Sequence, residues 1–116
     1  MSLLSTAGGA GKLRPNDPAM RTIMKFRVPA ATGSAAVKDG RLGRVLSSTL
    51  ERLKPEAAYF TAVDGDRGGF IVFDLKEPSD IPSICEPFFH ELGASVELSP
   101  AMTPQDVEAG LAKAFG

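Results

Sequence analysis

The chain has one cysteine, one histidine and almost no net charge, −1 at neutral pH. One cysteine excludes an intrachain disulfide and a thiolate metal cluster. That usage suits a reducing, cytoplasmic setting. The 13 basic residues are matched by 14 acidic ones, so no electrostatic footprint points to nucleic acid or to an anionic membrane. No apolar run approaches the ~20 residues of a membrane-spanning helix. The first ten residues, MSLLSTAGGA, lack a basic start and a long apolar stretch, which reads against a secretory signal.

What remains is ordinary for a globular protein. Apolar residues make up 43% and charged residues 23% of 116, a size that fits one domain. Residues 1–20 are rich in Gly, Ala, Ser and Pro without periodicity and read as a disordered tail. Residues 21–116 read as the single domain. Gly8 to Lys12 faintly resembles a phosphate loop, but Leu13 follows the lysine and no strand precedes it.

Alternation places the first strand at Arg21 to Val28, ended by Pro29. Ala30 to Gly33 reads as a connection. A helix follows from Ser34 to Leu53, with Leu42, Val45, Leu46, Thr49, Leu50 and Leu53 on one stripe. Gly40 and Gly43 weaken its first half by about 1 kcal/mol each. Two strands, Ala57 to Asp64 and Phe70 to Leu75, flank a glycine-rich hairpin loop. The second helix spans Ser79 to Leu92, with Ile81, Ile84, Cys85, Phe88, Phe89 and Leu92 as its stripe and Pro87 as an expected kink. Gly93 stops it. A fourth strand covers Ala94 to Ser99. Thr103, Pro104 and Asp106 then announce a last helix with an apolar edge of Val107, Leu111 and Phe115.

The order β-α-β-β-α-β is the ferredoxin-like unit of the α+β class, extended here by a C-terminal helix. It implies a four-stranded antiparallel sheet with helices on one face. Met24, Phe26, Val28, Phe60, Ile71, Phe73, Val96 and Leu98 are its expected core face. The opposite face carries Ile23, Lys25, Arg27, Tyr59, Thr61, Val63, Phe70, Val72, Asp74 and Glu97. That mixture is too apolar for water and too charged for a dry core. Two such faces apposed in a homodimer would satisfy both demands.

The stretches LKPEAAYF (53–60), GGFIVFDL (68–75), EPFF (86–89) and ASVELSPAMTPQDV (94–107) resemble a family of small bacterial proteins of undefined function. That family is related to the muconolactone-isomerase-like members of the dimeric α+β barrel superfamily. The resemblance implies a dimeric barrel. By analogy alone, it offers isomerisation or cofactor-free monooxygenation as chemistries. No cofactor is expected, and fold alone does not fix function.

For function, Lys25, Arg27, Tyr59, Asp74 and Glu97 are the candidate ligand-binding set. Arg27 or Lys25 would hold a small apolar or aromatic acid, with Asp74 or Glu97 as proton acceptor. The competing reading is a lattice of cross-strand ion pairs in an interaction module. His90, with Glu86 one turn earlier, is a weaker catalytic candidate. Two such ligands are too few for a metal site. Asp64, Asp66 and Arg67 read as turn chemistry, Cys85 as inert core, and Met102 as a gap filler.

Overall fold

The computed structural model describes residues 20–116. The N-terminal stretch and Gly8 to Lys12 lie outside the described residues. Met20, assigned above to the tail, instead opens the first strand, opposite Leu75. Strands β1 (Met20–Val28), β2 (Ala57–Val63), β3 (Asp66–Leu75) and β4 (Ser95–Pro100) form one antiparallel sheet in the order β2-β3-β1-β4. The fold is ferredoxin-like α+β, with the first three helices over one sheet face.

Alternation in β1 is regular. Thr22, Met24, Phe26 and Val28 are buried, while Ile23, Lys25 and Arg27 are half-buried on the other face. The core joins Met24, Phe26, Val28, Ile71 and Phe73 to Ile84, Phe88 and Leu92. Phe26 meets Phe88 edge-on at 5.1 Å between ring centroids.

The β2–β3 hairpin is tighter than the sequence predicts. Asp64 (φ 51°) and Gly65 (φ 86°) make a two-residue turn with both φ positive, the form whose twist matches paired strands. Asp66 to Gly69 are strand residues, not loop. Gly68 and Gly69 serve close approach instead of turning. A Cβ at Gly68 would strike the Phe26 carbonyl and lie 2.7 Å from Val63 Cγ2. One at Gly69 would lie 2.5 Å from the Tyr59 carbonyl and 2.9 Å from the Phe60 ring.

The first helical segment also departs from its expected form. Pro29 ends β1 and directly precedes α1 (Ala30–Lys38), so residues 30–33 are helix, not connection. The chain breaks at Asp39 and Gly40, the latter at φ 86°. Asp39 then accepts from the Arg41 amide and Arg41 Nε, which starts α2 (Arg41–Leu53). A single predicted helix is therefore two, and Gly40 is the hinge between them.

A 3₁₀ turn at Pro78–Asp80 leads into α3 (Ile81–Leu92). Asp80 occupies the cap position without a side-chain bond. Phe89, expected in the buried stripe, is 43% exposed. It lies at the stripe's edge, where Phe88 takes the core position. Gly93 (φ 58°) closes the helix as the Gly93 and Ala94 amides donate to the Phe89 and Phe88 carbonyls.

In α4 (Pro104–Phe115) Thr103 and Asp106 form a reciprocal capping box. Every residue of α4 is exposed. Met102 is 70% exposed and fills no gap. Among the described residues no helix is long and apolar enough to cross a membrane.

Candidate functional site on the open sheet face

The face opposite the helices is built by strand register. Tyr59 pairs with Phe70, Phe70 with Lys25, and Lys25 with Glu97. These four form one row running across all four strands. The next row is Ala57, Val72, Ile23 and Ser99. On the other side lies Thr61, Gly68, Arg27 and Ser95. Side chains opposite each other on one face sit within contact distance, so an aromatic pair, an ammonium and a carboxylate are neighbours here.

Exposure along the row rises towards the sheet edge. Phe70 is 36% exposed and Tyr59 70%. Lys25 is half-buried. Val63 is buried, because it lies over Gly68.

The candidate set is not one constellation. Lys25, Tyr59 and Glu97 share the central row. Arg27 is drawn to the hairpin end, where it meets Asp66 at 2.7 Å. Asp74 stands opposite Arg21, six residues along β1 from Arg27. At ~3.3 Å per residue that is about 20 Å. Asp74 therefore shares no pocket with Arg27. Arg21 itself meets Glu56 at 2.7 Å, and that carboxylate pushes the guanidinium pKa further up.

Asp66 is the residue that sequence reasoning missed. One oxygen accepts from Arg27 and the other from the Ala30 amide at 3.1 Å. It thereby ties β1, the start of α1 and the hairpin together. The signal was present in the spacing. With Asp64-Gly65 as a two-residue turn, Asp66 faces Val63 on the open side, two residues from Gly68 in Arg27's row.

His90 and Glu86 meet at 2.8 Å on the outer surface of α3, with 77% and 51% of their side chains exposed. They lie away from the open face. Burial pushes the Cys85 thiol pKa up, which disfavours a thiolate nucleophile. Among the described residues no cluster of three or more His, Cys, Asp or Glu could hold a metal ion.

No family model, no curated protein and no solved structure matches the chain.

Proposed function

We propose that two copies of this chain meet through their open sheet faces as a dimeric α+β barrel. The enclosed space at the Tyr59–Phe70–Lys25–Glu97 row then holds a small apolar or aromatic acid. The row itself carries the reading: one cation flanked by an aromatic ring on one strand and a carboxylate on the other. Tyr59 and Phe70 are the apolar walls, Lys25 is the counter-charge, and Glu97 is the proton acceptor available to any reaction. A half-buried cation attracts an anion more strongly than a solvated one does.

The ion pairs of Arg27 with Asp66 and Arg21 with Glu56 favour a second reading for the rest of the face. Those cations are already matched, so that part serves as an interface between copies. If the whole row packs in the same way, the protein is a non-catalytic interaction module.

The two readings separate by titration with benzoate and octanoate. Tyr59 is the only tyrosine and there is no tryptophan, so ultraviolet-excited emission reports on the row itself. Acid binding gives a saturable change in that emission. Lys25→Met abolishes it, while Glu97→Gln strengthens it by removing the carboxylate that competes for Lys25. A flat response to both acids at millimolar concentration in the wild type rejects the acid site and leaves the interface.

A further inference from the structure

On its helix side the sheet is covered unevenly. Met24 of β1 and Ile71 and Phe73 of β3 are buried in the core. Over β2 the cover stops, and Phe60, on the same side, stays 50% exposed.

Strand register explains the hollow that results. On the helix side Phe60, Gly69 and Phe26 form one row, and Ala62, Arg67 and Val28 the next. Gly69 puts no side chain between the two rings. A Cβ there would lie 2.9 Å from Phe60 and 3.2 Å from Phe26. The rings instead lean together edge-on, at 6.2 Å between centroids. With Leu42 and Leu46 of α2 and with Ala62 they line a groove of about 630 Å³. That volume lies within the ~300–1,000 Å³ of small-ligand sites.

Arg67 is the cation of this groove. Arg21, Arg27 and Arg41 each meet a carboxylate at 2.7 Å. Arg67 meets no carboxylate among the described residues. It donates to the Ser34 hydroxyl at a long 3.4 Å. Asp66 also borders the groove, but its two oxygens are held by Arg27 and the Ala30 amide. Its charge is therefore already matched, and that of Arg67 is not.

We infer that this groove binds an amphipathic monocarboxylate. The ligand's apolar body covers Phe26, Phe60, Leu42 and Leu46, and its carboxylate pairs with Arg67. An apolar lining with one unmatched cation complements a ligand with one charged end. The site lies across the sheet from the Tyr59–Phe70–Lys25–Glu97 row and needs no second copy. It stands or falls apart from the dimer and from the open-face site.

The test titrates sodium octanoate and 1-octanol into the full chain and follows amide and side-chain chemical shifts. Saturable octanoate shifts centred on Leu42, Leu46 and Phe60 are expected, and Lys25→Met should leave them unchanged. Arg67→Met keeps the apolar stem. It should raise the octanoate dissociation constant about three- to fivefold and leave that of octanol unchanged. Arg67 is exposed, and retained octanol binding verifies that the variant is folded. Ala62→Glu sets a carboxylate opposite Arg67 and should also weaken octanoate, with the arginine intact. Shifts that vanish in Lys25→Met, or no shift at millimolar octanoate, overturn the groove site. Equal losses of octanoate and octanol in Arg67→Met, or no loss of octanoate in either variant, overturn carboxylate recognition by Arg67 and the inference with it.

Discussion

Arg52 on α2 donates to the carbonyl of Ser83 at 2.9 Å, the acceptor that Pro87 leaves without an intrahelical amide. A proline at position i cannot bond the carbonyl at i−4, and Ser83 is that residue for Pro87. A second guanidinium nitrogen of Arg52 reaches the Ser83 hydroxyl. The proline in the helix thus becomes the point at which α2 and α3 are clamped.

Arg52→Ala should therefore destabilise the fold by about 1–2 kcal/mol, more than an ordinary exposed arginine. In a Pro87→Ala background a new amide competes for the same carbonyl, so Arg52→Ala should cost less. Urea unfolding of the two single variants and the double variant measures this coupling. Equal costs of Arg52→Ala in both backgrounds would remove the clamp.

The glycines sort by what surrounds them. Gly43 lies inside α2 with nothing within 4 Å of a Cβ, so Gly43→Ala should stabilise by about 1 kcal/mol. Gly40 sits at φ 86°, and Gly40→Ala should cost about 1 kcal/mol. Gly68→Ala drives a Cβ into the Phe26 backbone and should cost about 3 kcal/mol or more. Thermal melts of the three variants give the order directly. A neutral Gly68→Ala would mean that the β1–β3 spacing is looser than described.

Asp66→Asn should lower stability by about 1–2 kcal/mol, since it weakens bonds to Arg27 and to the Ala30 amide together. The loss should appear first as faster amide exchange in the opening turn of α1. Exchange unchanged there would show that Asp66 does not tie α1 to the sheet.

The α4 cap sets a pH dependence. The Thr103 amide and hydroxyl hold the Asp106 carboxyl pKa below its ordinary value. A depressed carboxyl contributes stability above its unfolded pKa and loses it as pH falls through the folded pKa. Helicity at residues 104–115 should therefore hold through mild acid and fall below the usual aspartate range. Asp106→Asn should flatten that fall. Residue-resolved carbon chemical shifts between pH 6 and pH 2 report it.

Element order, the division of the sheet into two faces and the α4 cap were legible in the sequence. Period-two alternation in β1 and Thr-Pro-X-Asp spacing are local signals. The misreadings of Gly68, Gly69 and Asp66 share a cause, which is that the deciding partner is distant in sequence. Gly68 and Gly69 resemble turn residues until the Phe26 and Tyr59 carbonyls are seen against them. The break at Gly40 resembles a weak spot inside one helix until its positive φ is known. Asp66 resembles a solvated turn residue because Arg27 lies 39 positions away. For the site, face membership was readable, while position along the face was not. Register separates Asp74 from Arg27, and the β1–β3 register pairs strands that lie far apart in sequence.

The central claim is that the open face, with Tyr59 and Phe70 exposed on it, is where two copies meet. Sedimentation equilibrium of the wild type and of Tyr59→Asp and Phe70→Glu tests it most directly. The wild type should sediment with the mass of two 12.2 kDa chains, and each variant should shift towards one chain while keeping its circular dichroism spectrum. A wild-type monomer across the micromolar range, or a dimer indifferent to both substitutions, would contradict the account.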